Sequence, residues 1–535
     1  MAILFGDTPN SLNKKQHGGN QTLIGSDPTN SLFGDAGLNL LDKAHGGDDT
    51  LLTFGSGNLY GDAGRNITDH AAGGDDVLSA QTVTPSLDPI NLYGDAGGSI
   101  SDFGAGGKDA LSAQLTFDDT PSTPFIVNMF GDAGTGMAGR ASGGDDTFSV
   151  SIGGFSFNVN MYGDAGGDIS GYSRAGNDTF LLPTPGPGSL LAGTPVTMYG
   201  DAGGSILGHA QAGNDTFDIG LYGGGNYTLY GDAGKNMAGN VAGGDDTFKL
   251  AGFQSNFTVY GDAGGNMSKH SVGGNDTVTD SSGQSFVTFY GDAGGNMSDR
   301  ARGGNDTFNA EGSAHRLTFY GDAGADLGDS AIGGHDTLTG NVDGPVLAYG
   351  DALSMSGRAH GGDDNLLITS QLFGDCTLVG DAQTMSDKSR GGDDILSAAN
   401  QPAGGTISLI GDAQTMSDKA CGGNDTLISG TGNDNMWGDA QVMLSYAKGG
   451  NDTFVFKADS GFDVIEDFGQ GIRGAGPSLG IDHIDVSALG ITDFSQLNVS
   501  AFDPTTHEST ITFSAGNEVV VHSQIALTER DFLFA

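Results

Sequence analysis

Asn256-Phe-Thr-Val-Tyr260-Gly-Asp262-Ala-Gly-Gly-Asn-Met267-Ser-Lys-His-Ser-Val-Gly-Gly-Asn-Asp276-Thr-Val278 is the stretch that decides the fold. Two aspartates stand 14 residues apart, one in a Gly-Asp-Ala turn and one in a Gly-Gly-Asn/Asp-Asp turn. The interval recurs as Asp35/Asp49, Asp62/Asp76, Asp95/Asp109, Asp132/Asp146, Asp164/Asp178, Asp201/Asp215, Asp232/Asp246, Asp262/Asp276, Asp292/Asp306 and Asp322/Asp336. It shortens to 13 in Asp351/Asp364, Asp381/Asp394, Asp412/Asp425 and Asp439/Asp452. A degenerate first copy over residues 5–24 starts at Asp7, with Gln21 in the second acidic place, giving about 15 repeats. A carboxylate spacing repeated along a chain marks structural units stacked one on the next.

Between motifs the interval varies from 13 to 23 residues, so the constant part carries a shared turn or ligand geometry. Asn256–Tyr260 and Phe155–Met161 alternate apolar and polar residues, which reads as strand. No amphipathic helix stands out before the C-terminal region. The expectation is an all-β chain, a right-handed parallel β-solenoid (β-roll or β-helix) with a C-terminal β-rich cap. Three apolar rows accompany the acids: an aromatic or aliphatic residue before Gly-Asp (Tyr60, Tyr260, Trp437), one four or five residues after the aspartate (Ile67, Met267, Met416), and one commonly two after the second aspartate (Phe148, Phe248, Leu427). All three are expected to stack inward. Two faces per coil or three both remain open.

Composition says what the carboxylates need. The 535 residues hold 66 acids against 21 Lys plus Arg, a net charge of −45. Only Glu311, Glu466, Glu508, Glu518 and Glu529 are glutamates, so 61 of the acids are aspartates. Aspartate caps its own backbone in tight turns, and 96 glycines place the acids there. Stacked like charges repel, and so few basic side chains cannot neutralise them. Hard divalent ions with oxygen ligands can; roughly 15–25 Ca²⁺ would offset most of the deficit. Without metal, disorder is the expected state. An acidic surface disfavours nucleic acid as a partner. Cys376 and Cys421 have neither zinc nor redox spacing. The N-terminus, Met1-Ala-Ile-Leu-Phe-Gly-Asp-Thr-Pro-Asn10, lacks the pattern of a cleaved signal peptide. No apolar run approaches the ~18 residues of a membrane span, so a soluble chain is expected.

These residues resemble the RTX (hemolysin-type) calcium-binding repeat, a tandem nonapeptide G-G-x-G-x-D-x-(apolar)-x. The closest stretch is Asn424-Asp425-Thr-Leu-Ile-Ser-Gly430-Thr-Gly432-Asn433-Asp434-Asn-Met436-Trp437-Gly438-Asp439, with Asp425 and Asp434 nine apart. Elsewhere copies such as Ala301–Phe308 lack the first glycine, and about nine residues separate two half-motifs. The resemblance implies a β-roll holding multiple Ca²⁺ between adjacent coils through Asp side chains and Gly-rich backbone carbonyls. It implies as ligands the second-motif aspartates from Asp49 to Asp452, among them Asp276, Asp306 and Asp336, together with Asp434. Less directly it implies the Gly-Asp-Ala set from Asp62 to Asp439, for which an Asx turn without metal is the alternative. Gly449–Phe456, Asp463–Phe468, Ile481–Ser487 and Asp531–Ala535 resemble the capping and secretion region of type I exported RTX proteins. The division expected is repeats over 1–456, then a cap and uncleaved export region over 457–535. The protein would then be extracellular, secreted or associated with the cell surface.

The repeats begin at residue 5, so no preceding catalytic domain is expected, and there is neither an H-E-x-x-H nor a G-x-S-x-G motif. The histidines read as solvated turn residues. Carboxylate pairs can cleave glycosides, but that needs a cluster breaking the repeat, usually with basic residues; Arg302, Arg316 and Lys269 look isolated. The leading expectation is a secreted, non-catalytic calcium-binding repeat protein with calcium-dependent folding and a structural, surface-layer, matrix or adhesive role. Besides calcium, its partners would be cell-surface polysaccharide or further copies of itself. One alternative is a polysaccharide-active solenoid enzyme, a lyase or hydrolase. Another is an ice- or glycan-binding adhesin using the threonines after the second aspartates, Thr247, Thr277, Thr307 and Thr337.

Overall fold

Short alternating segments punctuated by Gly-Asp turns cannot bury both faces alone, so each stacks on its counterpart in the next repeat. In the computed structural model this yields nearly all-β structure, 49% strand with no α-helix among the described residues, forming a parallel β-solenoid of about 14 turns. The structure describes all residues except 82–87, 117–123, 154–156, 184–194, 221–223, 315, 372, 399–405 and 472–476. The chain divides into two units, Met1–Ser285 and Phe286–Ala535.

In the first unit every coil contributes to three parallel ladders. Strands ending at the Gly-Asp turn, such as Ser56–Tyr60, Ile90–Tyr93 and Asn226–Tyr230, build the first. Of the expected strand from 155 to 161, Phe155 and Ser156 lie outside the described residues, and the remainder belongs to Phe157–Tyr162. The second ladder is a column of bridges, Leu40↔Ile67 and Ile67↔Ile100, widening to short strands such as Ile206–Gly208 and Met237–Gly239. Strands after the second aspartate, such as Thr216–Ile219 and Thr247–Leu250, build the third. Like residues face like: Tyr60↔Tyr93, Met237↔Met267 and Phe217↔Phe248. The degenerate first copy is in register too, with Thr8↔Ala36 and Leu12↔Leu40. The core consists of the inward member of each alternation, with Leu229, Met237 and Phe248 fully buried. The alanine of Gly-Asp-Ala adds its own column, since Ala63, Ala96 and Ala133 are fully buried.

In the second unit the same ladders recur, as Arg316–Tyr320 with Val346–Tyr349, Ala352–Met355 with Ala382–Met385, and Thr337–Val342 with Asn365–Gln371. They carry past residue 456. Phe462–Phe468 extends the first ladder from Asp434–Trp437, and His483–Asp485 extends the third from Thr453–Val455. An antiparallel hairpin, Glu508–Ser514 with Asn517–Ser523, then closes the first ladder, its second strand lying parallel to Phe462–Phe468. Phe532–Leu533 closes the third.

One apolar row lies elsewhere than expected. The aromatic residue before Gly-Asp ends its strand on the outward side, and in the first unit it is half-buried. The rings shield one another instead of entering the core: Tyr60 stacks on Tyr93 at 4.9 Å and Tyr162 on Tyr199 at 4.8 Å. Glycine admits them, because a Cβ at Gly97 would stand 2.4 Å from Tyr60 Cε1. In the second unit Tyr290 and Tyr320 keep this arrangement, and from Tyr349 on the row becomes buried, as Tyr349, Val379 and Ile410 form a cluster with Leu347, Leu353 and Trp437 packed against it. The change accompanies the shortened interval and the replacement of that glycine by Leu353, Gln383 and Gln414.

Candidate metal centres in two aspartate columns

Both sets of predicted aspartates are buried, and each forms a continuous column within its unit. Asp62, Asp132, Asp201, Asp322 and Asp381 of the Gly-Asp-Ala set are fully buried, and Asp76, Asp146, Asp246, Asp306, Asp364 and Asp425 of the second set are 1% exposed. The two columns have different hydrogen bonding.

The Gly-Asp-Ala carboxylates brace their own coil. Asp35 Oδ2 accepts the Gly47 N–H at 2.7 Å, Asp322 Oδ1 that of Gly334 at 2.7 Å, and Asp439 Oδ1 that of Gly450 at 2.6 Å. Asp262 and Asp292 do the same, through Gly274 at 2.9 Å and Gly304 at 2.8 Å. This contact fixes the constant interval, because it ties the Gly-Asp turn to the second glycine of the Gly-Gly turn. In four of these coils one residue has been removed without breaking the brace, as Asp351 Oδ1 still accepts from Gly362 at 2.7 Å.

Second-set carboxylates instead bind one coil to the next. The N–H of Asp49 donates to Asp76 Oδ1 at 2.6 Å, that of Asp146 to Asp178 Oδ1 at 2.6 Å, and that of Asp364 to Asp394 Oδ1 at 2.7 Å. The N–H of Asp246 reaches Asp276 Oδ1 at 2.7 Å, and that of Asp306 reaches Asp336 Oδ1 at 2.7 Å. In many copies the other oxygen has no hydrogen-bond partner. This holds for Oδ2 of Asp49, Asp76, Asp109, Asp146, Asp178, Asp215 and Asp246, and for Asp336, Asp364, Asp394, Asp425 and Asp452. Each such oxygen lies in the column beside the glycines that precede the Gly-Asp-Ala aspartates. A Cβ at Gly61 would meet Asp76 Oδ2 at 1.8 Å and the Gly94 carbonyl oxygen, one coil on, at 1.9 Å. Asp306 takes the same place in the second unit, where a Cβ at Gly291 would meet its Oδ2 at 2.0 Å and the Gly321 carbonyl oxygen at 1.6 Å. A second oxygen pair closes on the first glycine of Gly-Gly, where a Cβ at Gly73 would meet Asp95 Oδ1 at 1.5 Å and Asp62 Oδ2 at 2.5 Å. Glycine stands before every Gly-Asp-Ala aspartate, where carboxylate and carbonyl oxygens fill the side-chain position, whereas the first place of Gly-Gly also takes Ala175 and Ala212.

Burial and repulsion raise the proton affinity of these groups. Asp49 is pushed up to about 7 and Asp35 to about 8, burial being the main cause in each. Asp109 stands well above the carboxylate range, first through burial and then through the carboxylates of Asp95, Asp146 and Asp76. Asp246 is raised by burial and then by Asp215. Asp336 is raised by burial and then by Asp322 and Asp306. Basic side chains sit elsewhere: Lys108 pairs with the exposed Asp145, and His335 with Asp363 at 3.9 Å. A buried carboxylate with an unpartnered oxygen costs several kcal/mol when ionised. A column of them would exceed the ~5–15 kcal/mol stability of a folded domain. They must carry protons or share cations.

The donor set fits a hard cation. It is all oxygen, from carboxylates and glycine carbonyls, without thiolate or imidazole, and calcium takes such ligands in flexible geometry. Side chains alone do not make the site. Among the described residues no three His, Cys, Asp or Glu side chains form a ready cage, at Asp306 or at any other expected ligand. The reason is the coil geometry: Asp306 gives its N–H to Asp336, and its Oδ2 faces backbone at Gly291 and Gly321. Backbone carbonyls would therefore have to complete any shell.

Asp434 joins neither column. It starts a first-ladder strand beneath Ile407, its N–H donates to Asp463 Oδ1 at 3.0 Å, and burial raises it to about 6. Two residues outside the repeat motif do join. Asp467 accepts the N–H groups of Gly438 and Asp439, and Asp482 accepts that of Asp452 at 3.0 Å. They extend the columns by one coil, and their only sequence signal is a spacing of 15. A third, exposed ladder also escapes the sequence reading. Where it is Asp or Asn, the residue before a second-set aspartate caps the next coil, as when the N–H of Asn275 donates to Asp245 Oδ1 at 2.8 Å and that of Asn424 to Asp393 Oδ1 at 2.7 Å.

Comparison with protein-family models, with curated proteins and with solved structures finds no match. Among the described residues, no helix is long and apolar enough to cross a membrane.

Proposed function

We propose that the chain is a secreted, non-catalytic calcium-binding repeat protein of the RTX type, folding as calcium fills its aspartate columns and serving a structural, surface-layer, matrix or adhesive role. The observation that carries this reading is the second-set column, where carboxylates such as Asp109 give one oxygen to a neighbouring coil's N–H and leave the other unpartnered beside a glycine carbonyl. Bound calcium supplies positive charge that lets successive carboxylates ionise together. The chain's own part is to position those oxygens: second-set aspartates such as Asp76, Asp246 and Asp306 as primary ligands, glycine carbonyls such as that of Gly94 beside them, and Gly-Asp-Ala aspartates at the adjoining coil. Residues 457–535 are proposed to combine the cap with the export signal.

Isothermal titration of the calcium-free chain tests this. Asp109→Asn plus Asp146→Asn preserves size and turn-forming ability while removing two charges. As ligands, they should bind fewer ions and need more calcium to fold. Unchanged stoichiometry and midpoint would reduce them to turn formers.

A further inference from the structure

A left-handed residue turns the chain between the second ladder and the Gly-Gly turn of each coil, for example Asp329, Gly357, Asp387 and Asp418 with φ of 56°, 67°, 59° and 59°. The next residue projects outward, always at the same place. Within the second unit these successors include Arg358, Lys388, Lys419 and Tyr446, all exposed. The backbone holds them in register, because the N–H of Arg358 donates to Asp329 O, that of Lys388 to Gly357 O, that of Lys419 to Asp387 O and that of Tyr446 to Asp418 O. Their backbones therefore recur once per coil, about 4.8 Å apart, the strand spacing, and each of Arg358, Lys388 and Lys419 sends a cationic side chain out from this row. A second column lies two residues on, where His360, Arg390 and Lys448 are also exposed. Between the successors of the turn runs a groove of about 740 Å³ lined by Asp329, Arg358, Asp387, Lys388, Lys419 and Tyr446, among others. In a chain of net charge −45 this groove stands apart, because Arg358, Lys388 and Lys419 balance Asp329, Asp387 and Asp418 along it.

The first unit decorates the same turn with rings and cations. His70 stacks on Phe103 at 4.8 Å, the Arg140 guanidinium lies 5.6 Å from Phe103 and 5.8 Å from Tyr172, and Tyr172 stacks on His209 at 4.8 Å. There the ring faces are occupied by neighbours. Tyr446, 68% exposed at one end of the groove, keeps its ring open.

We infer that the groove over Arg358, Lys388 and Lys419 binds a linear acidic polysaccharide, laid along the coils with about one uronate per strand spacing. This deepens the adhesive reading above and rests on it. The cations recognise the carboxylates, Arg358 through its planar fork. The interleaved carboxylates of Asp329, Asp387 and Asp418 accept hydroxyl hydrogens, which a uronate chain offers and a polyphosphate lacks. The open Tyr446 face suits the apolar side of a sugar ring. Attraction is confined to the groove, because charges beyond a Debye length of ~8 Å at physiological salt are screened.

The test is titration of the calcium-loaded full chain with oligomannuronates too short to gel, alongside dextran oligomers and polyphosphate. Arg358→Gln, Lys388→Gln and Lys419→Gln together should weaken oligomannuronate binding at least tenfold, with Lys388→Gln alone intermediate. Lys235→Gln plus Lys249→Gln, exposed in the first unit, should leave it within about twofold. Tyr446→Ala should weaken oligomannuronate several-fold and leave polyphosphate unaffected. Circular dichroism and calcium stoichiometry, unchanged in these variants, separate this inference from the calcium reading; if the triple variant misfolds, Lys388→Gln and Tyr446→Ala decide. Absence of oligomannuronate binding by the folded wild type overturns the inference, as does full-strength binding by the folded triple variant. Tighter binding of polyphosphate with no effect of Tyr446→Ala overturns the assignment to polysaccharide.

Discussion

Gly61 and Asp76 show how one pair of residues ties the turn to the geometry of a candidate ligand. The carboxylate oxygen occupies the place a Cβ would need, so Gly61→Ala must displace Asp76 Oδ2 and the Gly94 carbonyl together. Overpacking of this kind costs about 1–3 kcal/mol. Here it should also raise the calcium needed for folding, which separates it from an ordinary clash; a lower thermal midpoint at saturating calcium with an unaltered calcium midpoint would contradict the shared geometry. Gly97→Ala supplies the comparison, since its Cβ would meet the Tyr60 ring rather than a candidate ligand. It should lower stability without altering the number of ions bound. Phe217→Ala, opening a hole in the stacked phenylalanines of the third ladder, should cost about 3–5 kcal/mol.

The ladders and columns were legible to different degrees. A constant interval is a physical constraint written directly in sequence, so the pairing of Gly-Asp with Gly-Gly-x-Asp anticipates the brace from Asp35 to Gly47. What the interval cannot carry is direction. Tyr60 and Tyr162 are apolar enough to suggest the core, yet a ring that stacks on its own copy in the next coil loses its water-exposed faces without pointing inward. Arg358, Lys388 and Lys419 look scattered because each is read against its sequence neighbours. Their common offset of seven residues from the Gly-Asp-Ala aspartate becomes meaningful only once coils stack.

Protonation offers the columns a second way to be neutral, and its sign is fixed. Unfolded aspartates titrate near 3.9, whereas in the folded protein Asp35 is raised to about 8, Asp49 to about 7 and Asp322 to about 6. Groups raised in the folded state favour it fully below the unfolded pKa, and that contribution is lost as pH rises through the folded values. In excess chelator the chain should therefore retain strand content near pH 4 and lose it between about pH 6 and 8. Far-ultraviolet circular dichroism across that range checks this, and a chelated fold that does not weaken above pH 6 would contradict it. With calcium present the dependence reverses, because protons compete for the ligand oxygens.

For the molecule as a whole, the charge of −45 means that the proposed calcium binding and folding would be one problem. Solenoid units couple mainly to neighbours, so damage at Asp109 and Asp146 should remain in the first unit. Removal of residues 457–535 takes away Asp467, Asp482 and the closing hairpin, and should leave the coil ending at Asp452 prone to aggregation while most of the proposed calcium sites survive. Secretion of that truncated chain at wild-type levels would contradict the export proposal. Magnesium should replace calcium poorly, since it dehydrates reluctantly and demands a small octahedral shell.

The central claim is that calcium and fold are coupled, and small-angle scattering of the full chain at neutral pH tests it most directly. In excess chelator the radius should be that of an expanded chain, and calcium in the ~10⁻⁴–10⁻³ M range of extracellular sites should contract it cooperatively. An equally small radius with full strand content in a preparation shown to be metal-free would contradict the account.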